Sequence, residues 1–143
     1  PTIAGFIAPV EDSVNGHITV DASCSGGIGI IKDPIEIEVE NGRVVSITGG
    51  EEAAKLRRLL ESTGTDKSYQ LAEIAVGMNP FCRITGNINE DEGKYGTCHC
   101  ALGNNTAFGG INYAPVHIDM VQWTPTLLID GEAIFKDGEC MIE

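Results

Sequence analysis

The sequence predicts an α+β domain, with a dominant, mostly antiparallel β-sheet and one or two helices. Short β-branched, apolar runs recur along the whole chain at strand spacing. Asn-Gly, Asp-Gly and Gly-rich turn signals separate them. Only one segment repeats its apolar residues at a helical period over a length that makes a secure helix. A length of 143 residues fits a single domain over 1–143.

Residues 1–10, bounded by Pro1 and Pro9, read as a short strand entering the domain, and residues 16–21 as a second. Gly26, Gly27 and Gly29 then break an apolar run that ends near Ile31. A clear hairpin follows, in which Ile35, Ile37 and Val39 alternate with Glu36, Glu38 and Glu40. Asn41-Gly42 supplies its turn and Val44, Val45 and Ile47 its return strand. Asn and Gly tolerate the positive φ that a type I′ turn requires. With one apolar face and three glutamates on the other, the hairpin belongs at the surface of a sheet.

Glu51 opens the helix, in which Ala53, Leu56 and Leu59-Leu60 form the apolar stripe. Glu51 with Lys55 and Arg57 with Glu61 are i,i+4 pairs, and Gly64 is the stop. Residues 66–71 suggest a shorter helical turn. Residues 73–77 read as a strand ended by Asn79-Pro80. After an acidic loop, Glu90-Asp91-Glu92, come a strand at 96–102, a polar Gly-rich loop at 104–110 and a strand at 116–121. A second hairpin follows, with 126–129 and 133–136 around Asp130-Gly131, and Asp137-Gly138 marks a further turn.

Nine Lys+Arg against 21 Asp+Glu give a net charge of −12, the wrong sign for nucleic acid or an anionic membrane surface. No run approaches the roughly 18 apolar residues of a membrane span. The five cysteines are odd in number and form no C-x-x-C pair, so they read as reduced thiols of a cytoplasmic protein. The chain has no initiator Met and opens within an apolar segment, from which a piece of a longer chain is expected.

His117-Ile118-Asp119 is the sharpest chemical signal. On a strand, i and i+2 side chains share a face, about 6.6 Å apart. His117 and Asp119 therefore point together, away from Val116, Ile118 and Met120. His99, on the face of its strand opposite Cys98, Cys100 and Leu102, adds a second imidazole. Two imidazoles and one carboxylate suit Zn or non-haem iron with open positions. A polar sheet face meeting solvent is the alternative. Glu73 stands alone in an apolar strand, where a buried carboxylate needs a partner or a metal. It is a candidate for both metal binding and catalysis, unless its strand is an edge facing water.

Cys98 and Cys100 read as buried, inert thiols and His17 as structural. The Gly26–Gly29 region lacks the spacing of a nucleotide loop. Loop 104–110 has backbone N–H groups able to receive an oxyanion, and reads equally as a plain flexible loop. Pro1 is an amine catalyst only at a mature terminus.

Residues 6–16, 72–80, 85–92 and 99–103, with His117-Ile118-Asp119, resemble the M29 family of thermophilic aminopeptidases in order and spacing across nearly the whole chain. They are also similar to 2,5-dihydroxypyridine dioxygenases, which share this domain and use one Fe(II). The first resemblance implies the C-terminal, metal-carrying domain of a larger two-domain enzyme. It carries Glu73, His99, His117 and Asp119 onto ligand positions, and suggests a homodimer. The primary expectation is a metalloaminopeptidase-like hydrolase using Zn, Co or Mn on a small peptide, with Glu73 and Glu90 as catalytic carboxylates (Glu92 is the alternative base). A mononuclear Fe(II) ring-cleaving dioxygenase acting on a small molecule is the first alternative, and a non-catalytic assembly domain the second.

Two departures from the aminopeptidase pattern stand out. Ile3 or Ala4 lies where a ligand glutamate is expected. Thr106 and Phe108 lie where a metal-site tyrosine is expected, with Tyr113 the nearest tyrosine. Together they favour a single metal on His99, His117 and Asp119.

Overall fold

The computed structural model describes residues 3–142. Pro1 falls outside them, as does the start of the strand read over residues 1–10. The chain builds three antiparallel sheets. The largest has the order β1-β7-β8-β9-β3-β4, from Ala4–Ile7, Leu71–Gly77, Thr97–Gly103, His117–Trp123, Ser23–Cys24 and Gly29–Ile30. A second sheet is formed by β2 (Gly16–Val20), β5 (Ile35–Glu40) and β6 (Arg43–Thr48). A third is formed by β10 (Leu127–Ile129), β11 (Glu132–Lys136) and β12 (Glu139–Cys140). The helices are α1 (Glu51–Ser62) and the single-turn α2 (Ile88–Asp91). The α+β, mostly antiparallel reading therefore stands.

The core forms because three elements each present one apolar face. The second sheet contributes Val20, Ile35, Ile37, Val39 and Ile47, all buried. Helix α1 contributes Ala53, Leu56 and Leu60, which recur at the helical period. The large sheet contributes Leu71, Leu102, Ile118 and Met120 from three neighbouring strands. Register alternation then assigns the opposite face of that sheet to Ala75, His99, Ala101, Asp119 and Val121. Those residues are buried as well, so this second face is covered rather than washed by solvent.

The Asn41-Gly42 turn has positive φ at both residues, 49° and 75°, as a type I′ turn demands. Gly42 has a second reason to lack a side chain, because an added Cβ would fall 1.6 Å from the Glu11 carbonyl oxygen. Glu51 and Lys55 pair at 3.1 Å as expected. Arg57 does not pair with Glu61 but donates to the Ile47 carbonyl at 2.7 Å, which ties α1 to the second sheet. The acidic 90–92 segment is not a loop throughout: its first two residues complete α2. The run broken by glycines folds as the short β3–β4 hairpin.

Candidate metal centre

The site face of the large sheet is organised by one irregularity in β7. Leu71 is opposite Leu102 and Glu73 is opposite Ala101, so Ala72 is an extra residue that bulges from the strand. Regular alternation would put Leu71 and Glu73 on the same face. The bulge sends Leu71 into the core and turns Glu73 to the other side. Ala101 is in turn opposite Asp119, so Glu73, Ala101 and Asp119 form one row across β7, β8 and β9. His99 lies two residues from Ala101 along β8. His117 lies two residues from Asp119 along β9, opposite Gly103. The alanine methyl leaves the space between the two carboxylates open.

The four side chains converge. Nε2 of His117 lies 3.1 Å from Glu73 Oε2 and 3.2 Å from Asp119 Oδ1. Nε2 of His99 lies 3.5 Å from Glu73 Oε1. Glu73, His99 and Asp119 are all buried, and their ligand atoms lie within 4.8 Å of one another. Nδ1 of His117 donates to the Asn104 carbonyl at 2.7 Å, which leaves Nε2 as the ring nitrogen that faces the cluster. Nδ1 of His99 is buried without a hydrogen-bond partner among the described residues.

Electrostatics follow from this packing. Burial pushes the Glu73 carboxyl up, but hydrogen bonds from His117 and His99 outweigh it and hold the group at about 2. Burial pushes the His117 ring down, but its bonds to Asp119, Glu73 and the Asn104 carbonyl outweigh that and raise it to about 10. A proton on His117 thus does the work a cation would do between two carboxylates.

The cluster lies in a cavity of about 430 Å³, lined also by Glu92, Phe108, Phe6, Ile3 and Ala4. This is within the size range of small-molecule sites. Three carboxylates line it, and among the described residues no Lys or Arg does. A divalent cation fits this donor set: two imidazoles, converging carboxylates, no competing ammonium group, and one ring already oriented through its far nitrogen.

Glu73, His99, His117 and Asp119, anticipated as ligands, are thus together. Glu90 is not part of the cavity. Its carboxylate accepts from the Arg83 backbone N–H at 3.0 Å, because α2 carries it away from the site. Asp91, fully buried, accepts from the N–H groups of Thr85 and Gly86 at 2.7 and 3.0 Å and anchors that turn. Glu92, one residue past α2, is the member of the triplet that reaches the cavity. Burial and the Asp119 charge raise its pKa.

Ile3 and Ala4 line the cavity, so apolar groups occupy the neighbourhood where the aminopeptidase pattern calls for a glutamate. Tyr113 is exposed and outside the cavity, and Phe108 takes the wall. Loop 104–110 is pinned: the buried Asn105 amide donates to Glu11 at 3.0 Å and accepts from the Asn112 N–H at 2.8 Å. On the opposite face, the Cys98 thiol donates to Gln122 at 2.9 Å, and burial pushes Cys98 to about 11 and Cys100 to about 12. His17 bridges Glu36 and Glu38 on the outer face of the second sheet, away from the cluster.

Fold and cluster define the class: a β-rich protein carrying a histidine–carboxylate site suited to a divalent cation. The chain belongs to the 2,5-dihydroxypyridine 5,6-dioxygenase (NicX) family, whose model matches residues 1–142. It is 27% identical over 148 residues to the 2,5-dihydroxypyridine 5,6-dioxygenase of Pseudomonas putida KT2440. The match covers 94% of this chain and 41% of that protein, so the chain spans under half the length of its relative. The solved structure of 2,5-dihydroxypyridine dioxygenase from Pseudomonas putida KT2440 superimposes with a TM-score of 0.89 at 25% identity, over 96% of this chain and 43% of that one.

Wild-type AmpT from Thermus thermophilus superimposes at 0.74 with 22% identity, over 97% of this chain and 39% of that one, a likeness of fold alone. The expectation of a hydrolase of the aminopeptidase, metalloprotease type is therefore corrected. The family match, the curated relative and the 0.89 superposition all favour the dioxygenase.

Among the described residues, no helix is long and apolar enough to cross a membrane.

Proposed function

We propose that this chain forms the metal-binding part of a mononuclear, Fe(II)-dependent dioxygenase that opens the ring of a small hydroxylated aromatic such as a dihydroxypyridine, in the cytoplasm. The single observation that supports this most is the buried group of Glu73, His99 and Asp119, with the half-buried His117 against both carboxylates, within a chain of that family. Two imidazoles and a carboxylate with open positions are the ligand type of non-haem Fe(II) oxygenases. In this reading the chain is the C-terminal domain of a larger enzyme.

His99, His117 and Asp119 would hold the metal, and Glu73, close to both imidazoles, would add a carboxylate or orient them. Bound iron supplies the one-electron and oxygen chemistry that amino-acid side chains lack. The chain's own residues do the rest. The Asn104 carbonyl fixes the His117 ring so that Nε2 faces the cavity. Glu92, its carboxyl disposed to hold a proton, is placed to exchange one with a substrate hydroxyl. Ile3, Ala4, Phe6 and Phe108 keep one side of the cavity apolar.

The test is reconstitution of the full-length protein with Fe(II) under argon, followed by oxygen. Oxygen uptake dependent on 2,5-dihydroxypyridine, with loss of the ring's ultraviolet absorbance, is the expected result. Iron bound at one equivalent with no uptake on hydroxylated pyridines or benzenes would overturn the reading.

A further inference from the structure

The cavity has two unlike halves. Glu73, Glu92, His99, His117 and Asp119 make one side polar and acidic, and Ile3, Ala4, Phe6 and Phe108 make the other apolar. The first half holds the metal-binding cluster and Glu92, and the second offers a ligand apolar contact alone.

The aromatic pair on the apolar side is built rather than incidental. The Phe108 ring lies 5.2 Å from the His117 ring at 46°, and Phe6 meets Phe108 edge-on at 5.3 Å and 72°. Phe108 ends the short turn Thr106–Phe108, and Gly109 follows in the left-handed region with φ of 87°. Its backbone N–H donates to the Asn105 carbonyl at 3.0 Å. Asn105 has no exposed surface, and Glu11 accepts from both its amide and the Ile111 N–H, at 3.0 and 2.7 Å. Glu11 belongs to the connection after β1, and Phe6 to β1 itself. The two rings thus come from segments about a hundred residues apart that are tied to each other close by. An aromatic wall anchored at both ends loses little freedom when a ligand packs on it.

We propose that Phe108, backed by Phe6, is the surface on which the ring of the substrate packs, and that it sets a preference for planar aromatic over saturated substrates; this rests on the dioxygenase reading. A flat molecule bound by its polar edge at the acidic half presents its face to the apolar half. Aromatic rings in contact gain a stabilisation beyond the area they bury. A saturated ring of similar size buries the same area without that gain.

The test is anaerobic equilibrium binding to the Fe(II)-loaded, full-length protein. The probes are 2,5-dihydroxypyridine and cyclohexane-1,4-diol, and the variants are wild type, Phe108→Ala, Phe108→Leu and Phe6→Ala. Phe108→Ala is expected to weaken dihydroxypyridine binding about tenfold or more. Phe108→Leu, which keeps apolar bulk over His117, should bring the ratio of the two probes' affinities down by about threefold to tenfold. Phe6→Ala should have a smaller effect of the same sign. Iron stoichiometry should be unchanged in the Leu variant.

An unchanged probe ratio in Phe108→Leu overturns the proposal, and Phe108 is then a cover over His117. The same follows if Phe108→Ala loses iron while the Leu variant binds both probes like wild type. A wild-type protein that takes up iron but neither probe defeats the dioxygenase reading itself. That outcome is distinct from a wild type that binds the aromatic probe and a Phe108 variant that binds it equally well.

Discussion

Ala101 lies between Glu73 and Asp119, in the row that crosses β7, β8 and β9, and has no exposed surface. The distance between those strands leaves room for two carboxylates to lean toward a shared centre only if the residue between them is small. Ala101→Leu would fill that room. Overpacking of this kind costs about 1–3 kcal/mol. The expected result is a folded protein, shown by its circular dichroism, that no longer retains metal through gel filtration.

Asp119→Asn keeps the size and removes the charge. It should lower metal affinity about tenfold or more in competition with a chromogenic chelator, and the metal-free protein should lose some stability near neutral pH, because the Asp119 carboxylate helps to raise the His117 ring. Full metal occupancy in either variant would mean that the cation, if held at all, is held elsewhere. At this scale the sequence is highly informative. His117 and Asp119 two apart on a strand, and His99 opposed to two cysteines and a leucine, needed only the two-residue period to be placed on one face. Glu73 drew notice as a carboxylate in an apolar run, but the extra residue Ala72 that turns it toward the histidines leaves no mark in the local pattern, since Leu71, Ala72 and Ile74 are all plausible strand residues.

Elements decide which side chains reach the site and which do not. Consecutive residues on a helical turn point about 100° apart, so three adjacent acids have three destinations. Glu90 turns to the Arg83 N–H, Asp91 is buried under Thr85 and Gly86, and Glu92 faces the cavity. A four-residue helix is too short to announce itself by periodicity, which is why the sequence pointed to Glu90. Strands β3, β4 and β12, of two residues each, escape detection for the same reason. The long elements, α1 and β5–β9, are legible because each repeats its period several times.

The loop between β8 and β9 was ambiguous in sequence, and the burial of Asn105 resolves it. Asn105→Ala removes an acceptor for the Asn112 N–H and a donor to Glu11. Leaving a buried polar group unpaired costs about 1–3 kcal/mol, so a loss of that size is expected in urea unfolding. Because the neighbouring Asn104 carbonyl fixes the His117 ring, metal affinity should fall in the same variant. Unchanged stability would show that Glu11 and the turn do not need this amide. In α1, Leu56→Ala deletes a fully buried side chain from the core and should cost about 2–5 kcal/mol.

The large sheet commits one face to packing and the other to a charged cluster, and the stability of the whole molecule inherits both. On the packing face, burial raises the thiols of Cys24 and Cys100 from 9.0 to about 12. The folded state then holds their protons more tightly than the unfolded chain does. Their contribution is complete below pH 9 and is lost as pH rises toward 12. On the site face, His117 is raised from 6.5 to about 10, so the stability from its protonated, paired ring is complete below pH 6.5 and lost between there and 10.

Glu73 runs the other way. Lowered from 4.5 to about 2, it contributes fully above pH 4.5 and loses that contribution as pH falls toward 2. These shifts place the optimum of the metal-free protein above pH 4.5 and below 6.5, toward the acid end, because the raised Glu92 carboxyl costs stability as it ionises above 4.5. The metal-free protein should weaken in two stages on the alkaline side, each group adding a slope of about 1.4 kcal/mol per pH unit within its window.

A saturating divalent cation requires His117 without its proton, so it should remove the His117 part of the first alkaline stage and leave in place the part of the exposed His17, whose ring Glu38 and Glu36 also raise, and the thiol stage. Chemical denaturation at half-unit pH steps, with and without metal, reads both stages. If metal leaves the decline between pH 6.5 and 9 unaltered, His117 is not one of its ligands, and the site face must be assigned again from the fold upward.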